Sequence, residues 1–283
     1  MISKILVPVR GDGKGDIVLA HAATLAKRFA AHVVIAHCRA RPQDMLPFGV
    51  PIPKFARETF IQQAKELADA EEAGLRQDLA ALSETLGLNQ NDPPHGNTAT
   101  VEFIEEEGLM VDIIKTHGRL ADLIAVPKPD RDRNIGRNSL KAALFRTGRP
   151  VLMCPPSEPV AALGSSIAIA WNGSMEAARA VAQTTGLVEK ADRVTILTGG
   201  GVEPHGASTE ELVQYYKLRG VSAEVRSFTS KNPGAALESE AKAAGADLLV
   251  MGAYGDSHER ETLFGGNTQA IVDKATMPVV LVH

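Results

Sequence analysis

The chain carries the same short passage twice, 125 residues apart (121 against 246). Ala121-Asp122-Leu123-Ile124-Ala125-Val126 lies over Ala246-Asp247-Leu248-Leu249-Val250-Met251, and Arg149-Pro150-Val151-Leu152 lies over Met277-Pro278-Val279-Val280. Each passage contains a short apolar run, the pattern of a strand buried on both faces. Strands of that kind need a helix on either side of the sheet. A repeated unit of this size therefore points to two copies of one α/β domain.

The segments between these passages agree. In the first copy, strand-like runs lie at 5–9, 33–37, 98–104, 122–126 and 150–153. They alternate with helical spacing at 17–30, 54–87, 109–119 and 140–146. In the longest helix the apolar positions Phe60, Ile61, Ala64, Leu67, Ala68, Leu75, Leu79 and Leu82 are expected to form one buried face, and Gly74 is a candidate break. Pro155-Pro156-Ser157-Glu158-Pro159 reads as a linker. The order then restarts, with strands at 167–171, 194–197, 223–228, 247–251 and 278–282. Helices are expected at 175–187, with Ser174 as N-cap, at 210–218, at 233–243 opened by Pro233, and at 269–274. The expected domains are residues 1–156 and 163–283, each a doubly wound parallel sheet. Such sheets bind ligands beyond the carboxyl ends of their strands, where the winding direction switches.

One loop at that end of the second copy is rich in glycine. Gly252 and Gly255 follow the strand at 247–251; Gly265, Gly266, Asn267 and Thr268 open the next helix. Glycines let backbone N–H groups approach a ligand, and a helix N-terminus offers unpaired donors and partial positive charge. An anion site is one reading. A turn with a tight helix–strand contact is the other.

Composition narrows the function classes. Neither half has the basic excess of a nucleic-acid binder: Lys+Arg against Asp+Glu is 20 to 20 in residues 1–160 and 10 to 14 in residues 161–283. No apolar run reaches transmembrane length, and Met1-Ile2-Ser3-Lys4-Ile5-Leu6-Val7-Pro8 is too short and strand-like for a signal peptide. A cytoplasmic location is the expectation. Cys38 and Cys154 stand apart and read as free thiols, and no histidine pair has metal-ligand spacing. Neither a serine elbow nor a Walker-type pattern occurs, so no catalytic residue is assigned.

The loop Gly252-Ala253-Tyr254-Gly255, nine residues, Gly265-Gly266-Asn267-Thr268 resembles the motif of the universal stress protein family, Gly-x2-Gly-x9-Gly followed by Ser or Thr. The ending Pro278-Val279-Val280-Leu281-Val282 resembles that family's last strand. With the repeat, nearly the whole chain resembles the tandem, two-domain members. The resemblance implies a flavodoxin-like or adenine nucleotide alpha hydrolase-like sheet, strand order 3-2-1-4-5, binding ATP or a related adenine nucleotide (ADP or AMP), with or without Mg²⁺. By position, Gly252, Gly255 and Gly265 would face ribose and phosphates, and Gly266, Asn267 and Thr268 would meet the phosphates. Asn172 stands where the family has an adenine-facing aspartate; it offers a donor and an acceptor but no charge. The resemblance also implies that the last strands of the two halves pair around a two-fold axis as an internal pseudo-dimer, with a further homodimer as an extension.

Arg260 lies in the same loop, where it would suit bidentate phosphate contact or a salt bridge to Glu259 or Glu261. His258 could contact a phosphate or stand free in the loop, and Asp256 and Glu261 could hold magnesium or simply be solvated. Trp171 is expected to pack at the sheet end or line the adenine pocket. The first half departs from the motif: Pro127 and Asp130 replace the glycines and Arg10 replaces the aspartate. It reads as not binding nucleotide in the family manner. Its Lys128, Arg131, Arg133 and Arg137 either grip another anion or form a solvated loop. The expectation is a regulatory nucleotide-binding protein with at most slow ATP hydrolysis. The alternative is an interaction module that binds protein partners and no nucleotide.

Overall fold

The computed structural model describes residues 1–10, 15–39, 41, 46, 52–90, 96–130, 136–159, 161–199, 206–230, 233–254 and 266–283. Among them the first copy is built from β1 (Lys4–Val9), α1 (Gly15–Phe29), β2 (His32–Arg39), α2 (Lys54–Thr85), β3 (Thr100–Glu107), α3 (Met110–Gly118), β4 (Leu123–Pro127), α4 (Arg137–Arg146) and β5 (Val151–Cys154). The second is built from β6 (Ser166–Trp171), α5 (Met175–Val188), β7 (Arg193–Gly199), α6 (Thr209–Lys217), β8 (Ala223–Phe228), α7 (Pro233–Ala243), β9 (Leu248–Gly252), α8 (Gly266–Lys274) and β10 (Val279–Val282). The apolar runs become central strands because both of their faces meet helices. β4, β5, β9 and β10 are buried along nearly their whole length.

All ten strands form one sheet, ordered β3-β2-β1-β4-β5-β10-β9-β6-β7-β8. Each copy has the order 3-2-1-4-5, and within each copy the pairing is parallel. The copies join at the antiparallel pair β5–β10. There Met153 faces Val279, Leu152 faces Val280 and Val151 faces Leu281. Leu152 and Val280 are equivalent positions of the repeat, so the pseudo-two-fold axis passes between them.

The repeated aspartates have one job in both halves. Asp122 Oδ2 accepts from the N–H groups of Ser3 and Lys4 at 2.8 and 3.0 Å. Asp247 accepts from Gly164 at 2.7 Å, Ser165 at 3.1 Å and Ser166 at 2.8 Å. Each carboxylate thus satisfies backbone donors at the entry to its half's first strand and ties the fourth strand to it.

Several details depart from the sequence reading. Gly74 does not break α2; the helix runs through it, and no atom lies within 4 Å of where its Cβ would be. The eight apolar positions of α2 do not form one buried face, since Phe60 and Leu67 are exposed. Strand β3 continues to Glu107 through three glutamates, because β2 continues beside it and Arg39 Nη1 meets Glu105 at 3.4 Å. The alternation in β8 buries little, because β8 is a sheet edge. Glu224 and Arg226 there are charges of the kind that protect an edge from pairing.

Candidate functional site

The carboxyl ends of β6 and β9 are neighbours, and the winding direction switches between them. β6 ends at Trp171, which is buried; its indole nitrogen has no hydrogen-bond partner among the described residues. Asn172-Gly173-Ser174 then turns the chain into α5. Gly173 takes a φ of +74°, and the exposed Asn172 accepts the Ser174 N–H on Oδ1 at 3.1 Å. Ser174 caps α5 as its position suggests, its Oγ accepting from Ala177 N–H at 3.2 Å. Gly206, from the segment after β7, backs onto this turn: a Cβ there would lie 2.5 Å from the Gly173 carbonyl oxygen.

Gly252 closes β9 directly beneath α5. A Cβ at that position would lie 2.5 Å from the Glu176 carbonyl carbon and 2.6 Å from the Ala177 nitrogen. This glycine is required by a strand-to-helix approach, which sets the first turn of α5 against the start of the glycine loop. Glu176, in that first turn, is an acid the sequence reading did not consider.

Beyond Gly252 the chain turns away from the sheet. Ala253 N–H donates to the Val282 carbonyl at 2.7 Å, as Lys128 N–H does to Cys154 in the other half. Tyr254 adopts a φ of +64°, left-handed for a residue with a side chain. Thr268, near the start of α8, is buried and accepts the Tyr254 N–H on Oγ1 at 3.4 Å. Gly266 and Asn267 occupy the first two positions of α8. Asn172, Gly252 and Thr268 are therefore brought to one end of the sheet from three separate stretches. Gly255, Arg260 and Gly265 lie outside the described residues, as do Asp256, His258 and Glu261.

Tyr254 also bridges the halves. Its ring lies 5.1 Å from that of Phe145 in α4, and Phe145 meets the His283 ring edge-on at 4.7 Å. His283 Nδ1 is 3.1 Å from the Ala253 carbonyl oxygen. Burial pushes the Tyr254 phenol well above its usual pKa. Sequence reasoning passed over this group. In a chain with 4% aromatic residues, an aromatic inside the glycine loop was the available signal.

The first half presents a different surface. Pro127 ends β4 where Gly252 ends β9, and Arg10 is exposed. Lys128 reaches across to the second half, where Nζ donates to the Ala275 carbonyl at 2.9 Å, at the end of α8. Burial lowers the pKa of that amine. Arg131 and Arg133 lie outside the described residues. No group of three or more His, Cys, Asp or Glu residues is placed to hold a metal ion among the described residues.

The model of the universal stress protein family matches residues 168–283, from within β6 to the last residue. The C-terminal half is a universal stress protein domain. Its glycine loop, the turn after β6 and the strand β10 all fall inside the match. A universal stress protein from Archaeoglobus fulgidus DSM 4304 shares the fold of the whole chain: 15% identity, 99% of this chain and 97% of that one covered, TM-score 0.71. A functionally unknown protein from Pseudomonas aeruginosa PAO1 shares it at 16% identity, with 99% and 92% covered and a TM-score of 0.55. So does the cytoplasmic domain of a prokaryotic cation chloride cotransporter, at 12% identity, 99% and 95% covered, TM-score 0.50. No curated protein matches the sequence. Among the described residues, no helix is long and apolar enough to cross a membrane.

Proposed function

We propose that the universal stress protein domain at residues 163–283 binds ATP or a related adenine nucleotide at the carboxyl ends of β6 and β9, and that the chain acts by regulation and not by rapid catalysis. The observation that carries this reading is the convergence of the Asn172 turn, Gly252 and the start of α8 at the switch point. Ser174 and Thr268 stand at helix starts where anions are favoured. The donor set fits an adenine nucleotide in part: the Asn172 carboxamide keeps its NH₂ for a base edge, and the Trp171 indole N–H is an unused buried donor at the same strand end. When bound, the nucleotide would supply a polyanion for the helix starts and the glycine loop. Asn172, Gly252, Gly255, Arg260, Gly265, Gly266, Asn267 and Thr268 are the residues proposed to hold it, with Mg²⁺ as a companion to the phosphates. No side chain is assigned as base for an attacking water, so hydrolysis is expected to be slow at most. The first half is proposed not to bind nucleotide in this manner, because Pro127 removes an N–H donor from the loop start. A cytoplasmic location belongs to the same proposal.

A second reading is an interaction module without nucleotide. Two observations favour it: Oδ1 of Asn172 is already used by Ser174 N–H, and Glu176 brings a negative charge to the first turn of α5. The fold also serves as a cytoplasmic domain of a cotransporter, so fold alone does not choose.

Extraction of small molecules from purified protein, followed by ATP titration of the stripped chain, separates the two. Trp171 is the only tryptophan and lies at the proposed site, so its emission is the readout. A saturable change supports the nucleotide reading. No change and no copurified nucleotide, with partner capture intact, supports the second.

A further inference from the structure

Helix α2 carries a second stripe, apolar but for Gln63, that stays largely exposed among the described residues. Ala56, Phe60, Gln63, Leu67, Ala70 and Gly74 recur in steps of four and three residues. All but Ala56 are exposed, Leu67 at 62% and Phe60 at 38%. A neighbouring side, through Leu75, Leu79 and Leu82, already packs into the core, and Arg39 anchors the helix through Asp69 and Glu72. A three-four alternation is the seam of a helix pair. On this seam the small residues Ala56, Ala70 and Gly74 allow close approach.

We propose that the stripe is the contact surface for a second copy of this chain, with the two α2 helices packed antiparallel about a two-fold axis near Lys65. In that register Phe60 faces Ala70 of the second copy and Leu67 faces Gln63, so large meets small along the seam. Flanking it, Arg57 of each copy faces Glu71 of the other, giving two opposite-charge pairs. The charges that flank the seam support this direction: Arg57 stands near its start and Glu71 near its end, while Lys54 pairs with Glu58 in the same helix and Asp69 and Glu72 are held by Arg39. One like pair remains, Glu66 with itself across the axis, where Gln62 of the same helix already donates to it at 2.7 Å. A parallel pair would instead place Glu66 beside Glu71 twice, with no opposite pair in exchange. The seam is about 27 Å long at 1.5 Å per residue. It is a small interface of the kind that gives reversible dimers. This dimer is separate from the internal β5–β10 pairing and does not depend on nucleotide binding.

Sedimentation analysis of the full chain tests it. The expected result is a reversible dimer, twice the 30.0 kDa chain, with a Kd on the order of 10 µM. Leu67→Asp should give a monomer with unchanged circular dichroism and melting temperature. Arg57→Glu should weaken the dimer about tenfold, and Arg57→Glu with Glu71→Arg should restore it. A wild type that stays monomeric at about 100 µM, well above that Kd, overturns the proposal. So does a dimer untouched by Leu67→Asp, or a charge swap that restores nothing. A monomer whose melting temperature drops in Leu67→Asp also overturns it, because the stripe would then be covered by its own chain.

Discussion

Gly252 lies directly against the backbone of Glu176: a Cβ on the glycine would stand 2.5 Å from the glutamate's carbonyl carbon. The end of β9 and the first turn of α5 are therefore fixed against each other at the switch point of the second half. Gly252→Ala must push one of them away, and neither is the end of a flexible side chain. The expected cost is about 1–3 kcal/mol of stability, read as a lowered urea midpoint with unchanged slope. Gly74→Ala, in an open helical position, should instead stabilise by about 0.5–1 kcal/mol.

Asp247 and Asp122 should differ in proportion to the donors they satisfy. Asp247→Ala removes the carboxylate from three part-buried backbone N–H groups, of which only Ser165 keeps another acceptor, the Ala162 carbonyl at 2.9 Å; Asp122→Ala leaves two without theirs, one of them exposed. Losses of about 2–4 and 1–2 kcal/mol are expected, respectively, from chemical denaturation of the full chain.

His21 makes stability depend on pH. It is fully buried in α1, with Nδ1 2.8 Å from the Ile17 carbonyl oxygen and Nε2 without a hydrogen-bond partner among the described residues. Burial lowers its pKa, outweighing that hydrogen bond and the charge of Glu158. The folded chain thus holds His21 neutral, while the unfolded chain protonates it near about 6.5. The stabilisation is complete above that value and is lost as pH falls below it. His37, also lowered by burial, acts in the same direction. Unfolding midpoints should decline from about pH 7.5 to 5, and His21→Leu should flatten the decline. An equal slope in both proteins would contradict the assignment.

Thr268 holds the left-handed turn at Tyr254. Thr268→Val keeps the shape but removes the acceptor for Tyr254 N–H, and should cost about 1–2 kcal/mol. Thr268→Ser should restore it. Amide exchange at Tyr254 should rise in the valine variant and return to normal in the serine variant.

Much of this fold was legible because the repeat is legible. Two aspartates 125 residues apart lead equivalent strands and perform equivalent work. The order of strands and helices followed from alternating apolar runs and helical spacing. The antiparallel seam between Leu152 and Val280 came from family resemblance, since spacing alone cannot choose which edges meet. Helix α2 was misread for a physical reason. Two apolar stripes on one helix both satisfy a 3.6-residue period, and only the packed structure tells which is covered. At the candidate site the glycines were visible, but their reasons were not. Gly252 answers to Glu176 and Gly206 to the Gly173 carbonyl, contacts between segments far apart in sequence. The bridge from Tyr254 to Phe145 is of the same kind.

The central claim is nucleotide binding at the ends of β6 and β9, and calorimetric titration of ATP with magnesium into the full chain tests it most directly. Asn172→Ala serves as the partner variant, since an exposed side chain can be removed without unfolding the site. The account predicts one saturable site per chain in the wild type and about tenfold weaker binding in the variant, the equivalent of about 1.4 kcal/mol. Absence of binding heat in the wild type at millimolar ATP, or equal affinity in Asn172→Ala, would contradict it.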